Sequence, residues 1–363
     1  MSGRADEEKY LKKFSDEHKI YPLLSDIAES KLKLGYINAA SKGFEMPQNT
    51  GGVGMARKIG MDMALRLLRK SSDFPHVILC LDADTLVRDN YLSVIKKYFT
   101  PEIKTAILAY EHQMPQNYEE QAAIVCYEIF LRYWILGLKY AKSPWAFHSI
   151  GSTIAVSTEA YMQVRGMNRR EAGEDFYFLN KLAKTGGVNY IKETCVYPSA
   201  RSSTRVPFGT GKRIQKFLSG ACEEEYILYD TRIFTILGDW LKLMNGSLLC
   251  DENEILTKAG EIHALLKNFL IINDFAVIWP KIRRNSKDEK TLARQFNDWF
   301  DGFKTLKLIN YFTKEIYPQI NMFEALKGIL SMSGMQGPKQ NSGIKIPKLE
   351  DQIEMLQYLR SMT

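Results

Sequence analysis

The apolar run Val77-Ile78-Leu79-Cys80-Leu81 ends in Asp82-Ala83-Asp84, and this junction limits the fold more than any other stretch. An unbroken apolar run between the Phe74-Pro75 break and two acids is the pattern of a strand buried on both faces, as in a parallel sheet. Carboxylates at the C-terminal end of such a strand lie where open α/β sheets bind their ligands. Two acids at this spacing reach one site if the strand breaks there. Paired carboxylates suit a hard divalent cation, which would in turn hold a phosphate. Asp is also a common turn residue, so the pair alone leaves a plain strand-ending turn open.

Strand and helix patterns alternate around this junction. Residues 55–68 and 90–99 have helical spacing, 105–110 form a strand pattern, and 118–141 a long apolar helix. A short strand follows at 153–157, a helix at 174–184, and 188–196 contain another strand. Nearer the start, 6–18 have a helical pattern and 32–38 that of a strand. The alternation predicts an α/β fold around a mostly parallel central sheet. After Arg213 the strand signals stop, and the remainder is helical in pattern, with polar breaks at 285–287 and 333–343. The expected division is therefore 1–213 and 214–363.

The chain's 363 residues suffice for two domains and a sizeable core. A net charge of +7 without a dense Lys/Arg block does not indicate nucleic-acid binding. It suits an anionic substrate or an anionic membrane surface. The cysteines Cys80, Cys126, Cys195, Cys222 and Cys250 are scattered, with neither zinc spacing nor a disulfide framework. That predicts a reducing cytoplasm, and the polar N-terminus has no signal-peptide pattern. The helix at 118–141 carries Glu128, Arg132 and Lys139. It fits a buried or interfacial helix better than a membrane span.

Other stretches add chemistry, each beside an ordinary alternative. Gly51-Gly52-Val53-Gly54 opens a helix that carries Arg57 and Lys58, which suits a nucleotide or phosphate. It departs from the dinucleotide fingerprint, because Arg57 stands where a third glycine is required. A flexible capping loop remains the alternative. Gly173-Glu174-Asp175 would provide a general base and a polar anchor, with Phe176, Tyr177 and Phe178 raising the carboxylate pKa. Acids at a helix start also simply complement its dipole. In the Ser/Thr-rich loop 198–213, Arg201 and Arg205 suit a forked clamp on a diphosphate, or a solvated basic loop. His148, in Phe147-His148-Ser149-Ile150-Gly151-Ser152, is a candidate acceptor contact or a hydrogen-bonded core histidine.

Taken in order, the glycine loop with Ala56-Arg57, Leu81-Asp82-Ala83-Asp84, Gly151-Ser152, Gly173-Glu174-Asp175 and the Arg/Gly loop resemble the GT-A glycosyltransferases of family 2. The resemblance covers roughly residues 32–213 and implies a Rossmann-like GT-A domain followed by a mainly helical C-terminal region. It implies a cytoplasmic enzyme, extending to the inner face of the membrane, that moves one sugar from a UDP- or GDP-sugar to a saccharide or lipid-linked acceptor. Asp84, with Asp82, would hold Mn2+ or Mg2+. Arg57 and Asp82 would touch the nucleotide. Asp175 would be the base supported by Glu174, Arg201 and Arg205 would steady the leaving diphosphate, and His148, Gly151 and Ser152 would lie on the acceptor side.

Two departures shape the expectation. The family's opening β-α-β portion, with its Pro-x-Tyr-Asn-Glu-like turn, has no counterpart here, which predicts an incomplete sheet whose uncovered edge favours self-association. A Gln-x-x-Arg-Trp motif after the base is lacking, so processive synthesis is not expected. Two other readings stand beside this one. One is an inactive relative serving as a binding or scaffold module. The other is a haloacid-dehalogenase-like phosphatase, suggested by Leu81-Asp82-Ala83-Asp84-Thr85-Leu86 but without its later Gly-Asp-x-x-x-Asp site. A membrane-surface contact, if any, is expected through the aromatic helix at 118–141.

Overall fold

The computed structural model describes residues 37–46, 51–68, 75–203, 209–220, 222–338 and 344–363. The chain divides into two units, Met1–Met46 and Pro47–Thr363. In the first, residues 37–46 form a loop in which the Asn38 side chain accepts a hydrogen bond from the Ser41 backbone N–H at 3.0 Å. The helix expected at 6–18 lies outside the described residues. So does most of the strand expected at 32–38, and Ile37 and Asn38 have no regular structure.

The second unit is built on a sheet of β1 (Val77–Leu79), β2 (Leu86–Val87), β3 (Thr105–Tyr110), β4 (Ile154–Ser157) and β5 (Asn189–Tyr197). Their spatial order is β1-β4-β3-β5-β2. β3 and β5 are parallel, whereas β4 runs antiparallel to both β1 and β3, and β2 antiparallel to β5. The α/β class is as expected, but the sheet is mixed rather than mostly parallel. The physical reason lies in β4: every residue of Ile154-Ala155-Val156-Ser157 is buried. Apolarity on both faces reports burial between two helical layers, not strand direction.

The layers follow from the strands' alternation. Ile107, Ile154 and Val156 point to one face, where they meet Met61, Tyr161, Phe178 and Leu182. These come from α1 (Val53–Leu68), α4 (Thr158–Gln163) and α5 (Glu174–Gly186). Ala106, Leu108 and Ala155 point to the other, against Tyr91 and Ile95 in α2 (Tyr91–Tyr98). Among the described residues, the helices expected at 55–68, 90–99, 118–141 and 174–184 thus stand within a residue or two of their predicted ends.

The long apolar helix, α3, is Tyr118–Tyr140, long and apolar enough by length and composition to cross a membrane. Here it is a core element. Asn117 caps it through the backbone N–H groups of Glu119 and Glu120, and Ile124, Val125, Ile129, Tyr133 and Leu136 are buried in the main cluster. Glu128 and Arg132 are buried with them. Glu128 accepts from His112, Arg132 and Arg360, and Arg132 donates to the Tyr110 carbonyl at 2.6 Å. Arg360 belongs to the last helix, Leu349–Met362, so this ionic cluster fastens that helix to the end of β3.

The change of composition at Arg213 is thus a change of secondary structure inside one unit. Two short strands, Ile227–Leu228 and Ile320–Asn321, pair antiparallel within the helical stretch, where none was expected. A two-residue strand carries no readable period. The helix Gly302–Glu315 is the element of this stretch that matters most for the site.

Candidate functional site

A cavity of about 1700 Å³ opens at the C-terminal end of β1. Its wall includes the glycine loop, Arg57, Asp82, Asp84, Gly151, Ser152, Glu174, Asp175 and Arg201. Residues far apart in the chain therefore share one space. Arg205 lies outside the described residues. His148 does not line the cavity: it is buried, with its ring edge-on to Tyr110 at 4.9 Å. Burial chiefly, and the nearby Arg132 charge next, hold its pKa well below the ordinary histidine value.

The strand breaks where the aspartates require it. Thr85 N–H donates to the Asp82 carbonyl at 3.0 Å, closing a turn, and β2 then pairs with the end of β5. The Gln113 side-chain amide donates to the carbonyls of Asp84 at 2.8 Å and Tyr197 at 2.7 Å. One side chain thereby ties the aspartate turn to β5.

Arg57 reaches across from α1. Its guanidinium donates to Asp82 Oδ1 at 2.6 Å and to Glu174 Oε1. Burial works against the Arg57 charge, but Asp82 and Glu174 outweigh it and raise its pKa. The group is therefore a fixed cation. A Cβ at Gly151 would overlap this guanidinium, so glycine at that position makes room for the arginine. Gly54 serves a similar close approach, since a Cβ there would lie 2.8 Å from the Asn168 carbonyl. The glycine loop accordingly packs α1 onto the 168–171 segment, and Gly51 and Gly52 face the cavity.

Glu174 and Asp175 open α5. Glu174 is 3% exposed, and burial raises its pKa against the pull of Arg57. Asp175 is pushed up to about 7, first by burial and then by the adjacent Glu174 charge, with Arg57 and the Phe176 N–H opposing. The Phe176 N–H donates to Asp175 Oδ1 at 2.7 Å. A carboxylate near neutrality is suited to accept a proton at physiological pH. Tyr127, also in the wall, has its hydroxyl pushed up to about 12 by burial and by Asp175.

Arg201 pairs with Asp84 through Nε–Oδ2 at 2.7 Å, its side chain 62% exposed. Each aspartate of the pair thus has one oxygen on an arginine. The donor set is all carboxylate oxygen, which fits a hard cation such as Mn2+ or Mg2+ completed by ligand or water oxygens. Among the described residues no group of three or more His, Cys, Asp or Glu side chains stands ready to hold a metal alone. Sequence reasoning did not single out Gln113, Tyr127 or the Phe303 to Asn310 face of helix Gly302–Glu315, which also lines the cavity. Their only signal was a tertiary one, since Tyr127 and the Phe303 to Asn310 face lie on segments read as structural helices and Gln113 lies between two elements. No family model matches the chain, and no curated protein matches it.

Proposed function

We propose that the chain is a metal-dependent, inverting glycosyltransferase of the GT-A type that moves a single sugar from a nucleoside-diphosphate sugar to an acceptor hydroxyl. The observation that carries this reading is the convergence of Asp82, Asp84, Arg201 and Asp175 on one cavity, with Asp175 raised to about 7. A strand-end carboxylate pair and an exposed arginine suit a diphosphate, and a near-neutral carboxylate suits a base. The antiparallel β4 between two co-directional strands is compatible with such a domain.

In the reaction, the acceptor oxygen attacks the anomeric carbon from the face opposite the leaving group. The bond from that carbon to the diphosphate oxygen breaks, and its electron pair leaves with the nucleoside diphosphate. Asp175 takes the acceptor's hydroxyl proton. Glu174, held by Arg57, keeps the start of α5 in place, and its charge helps keep Asp175 basic. Arg201 exchanges its Asp84 contact for the diphosphate, offsetting the charge that develops there. Asp82 and Asp84 would hold a divalent cation, which when bound supplies further neutralisation of the leaving group.

Calorimetric titration with UDP and GDP, with and without manganese, tests this directly. Manganese-dependent binding that disappears in Asp84→Ala is the expected result, and the preferred nucleotide names the donor class. Folded protein that binds neither nucleotide under any condition would sink the reading. Nucleotide binding without transfer to any acceptor would favour a binding module instead.

A further inference from the structure

One wall of the cavity comes from the helical stretch. Helix Gly302–Glu315 turns Phe303, Leu306, Lys307 and Asn310 toward the cavity, the i, i+3, i+4, i+7 spacing of a single helix face. Its opposite side, with Thr305, Leu308, Ile309 and Phe312, is buried in the core. The helix is fastened to α5, which carries Asp175. Asp301 caps it through the N–H groups of Phe303 and Lys304. The same carboxylate accepts from Lys184 at 2.6 Å and from Asn180 at 3.1 Å. The Phe303 ring lies 4.7 Å from Phe176 and 4.2 Å from Tyr177, centre to centre. These are the two residues that follow Asp175.

Lys307 sits one turn beyond Phe303, about 6 Å along the axis, which is roughly the span of a sugar ring. Arg57 and Arg201, the other cations described in the wall, are each paired with a carboxylate. Lys307 is exposed and has no ion-pair partner among the described residues. An anion entering near Asp175 and Glu174 would meet repulsion unless a cation offset it, and a lysine ammonium acts as a flexible point charge for that purpose.

We propose that this helix face is the acceptor subsite, and that the acceptor is a saccharide bearing an anionic group, a carboxylate or a phosphate, which Lys307 binds. Phe303 and Leu306 offer apolar surface to the C–H face of the sugar. Asn310, whose Oδ1 accepts from the Tyr229 hydroxyl at 3.1 Å, keeps its amide N–H groups for a sugar oxygen. The proposal rests on the glycosyl-transfer reading above and assigns its second substrate.

The test is calorimetry on the full chain loaded with UDP or GDP and manganese, using methyl glucuronide, glucose 6-phosphate and neutral methyl glucoside as probes. At least one anionic probe is expected to bind about tenfold or more tightly than the neutral glycoside. Lys307→Gln should erase that preference and leave nucleotide affinity unchanged, and Lys307→Glu should reverse it. Both changes are at an exposed position, so the fold is retained. The two anionic probes distinguish a carboxylate from a phosphate. Equal binding of charged and neutral probes, or binding of none, overturns the proposal. So does a loss of nucleotide affinity in Lys307→Gln, which would place the lysine on the donor instead. If no nucleotide binds but the anionic preference through Lys307 persists, the subsite stands and the glycosyl-transfer reading falls.

Discussion

Glu128 and Asp175 are both carboxylates withdrawn from water, and their surroundings move them in opposite directions. At Glu128, burial alone would raise the pKa. Hydrogen bonds from His112 and Arg360 and the charge of Arg132 overcome it and hold the group well below the ordinary range. At Asp175 burial wins: the nearest charge is another acid, and Arg57 is already shared between Asp82 and Glu174. The first region is sealed and saturated with donors; the second faces a cavity and is left short of them. An arginine-carboxylate cluster therefore serves as a fastening where its partners are complete. It serves as a candidate reaction site where one carboxylate, Asp175, has no ion-pair partner among the described residues.

The largest effect expected is on the sealed side. Glu128→Ala strips the counter-charge from buried Arg132 and leaves Arg360 only its pair with Glu111, and breaking a buried pair in this way costs about 3–5 kcal/mol. Denaturant unfolding should show that loss. The pKa direction adds a pH signature. Because Glu128 is depressed in the folded state, its contribution is full above the unfolded carboxylate pKa and is lost as pH falls through the folded value. Acid unfolding of the wild type should therefore be steeper than that of Glu128→Ala. Equal stability of the two proteins would mean that the cluster is not a fastening.

Next comes the base. Asp175→Asn should lower transfer by about 10²–10⁴-fold, the usual share of a general base, with nucleotide binding intact. Wild-type transfer should rise as pH passes through about 7, where Asp175 ionises. The same group carries the opposite stability sign to Glu128. Its folded pKa is raised, so between the unfolded value and about 7 the native state holds the extra proton, and stability falls as pH rises across that window. Asp175→Asn should therefore melt above the wild type at pH 8, with the gap closing toward pH 4. A mutant less stable than the wild type at pH 8 would show that Asp175 is a structural acid like Glu128.

A smaller effect is expected at Gly151. Gly151→Ala forces a methyl group against the Arg57 guanidinium, and overpacking of this kind costs about 1–3 kcal/mol. If Arg57 is a site residue as well as a packing one, nucleotide affinity should fall with stability. A loss of stability alone would move Arg57 to the structural side of the comparison.

The open region was the more legible of the two from sequence. Asp82, Asp84, Glu174, Asp175 and Arg201 sit at strand ends, helix starts and loops, where local pattern marks a polar residue as out of place. Gly151 and Ser152 are in the wall as well, although the reason for Gly151, room for Arg57, exists only in three dimensions. Glu128 and Arg132 were noted merely as charges inside an apolar helix, because their partners His112 and Arg360 are distant in the chain. His148 looks from sequence like a site residue, yet tertiary packing turns it into the core. Four of the sheet's five strands are legible and the two-residue β2 is not; the directions are not legible either, since burial on both faces leaves the same apolar run in either direction.

The exposed pair Arg201–Asp84 probes the comparison at its weakest point. With side chains 62% and 34% exposed, the pair is screened by water and should contribute about 0–1 kcal/mol. Arg201→Gln is therefore expected to leave the unfolding midpoint nearly unchanged. It should weaken manganese-dependent nucleotide binding by about tenfold, the loss of a charge-assisted bond of roughly 1.5–3 kcal/mol less the cost of breaking its existing pair. Raising salt should shrink the difference between wild type and mutant, because the contact is open to counter-ions. Stability that drops as it does in Glu128→Ala would show that openness to the cavity does not separate the two clusters. Unchanged stability with unchanged nucleotide affinity would leave Arg201 a solvated loop residue, and the diphosphate would need another cation in the wall.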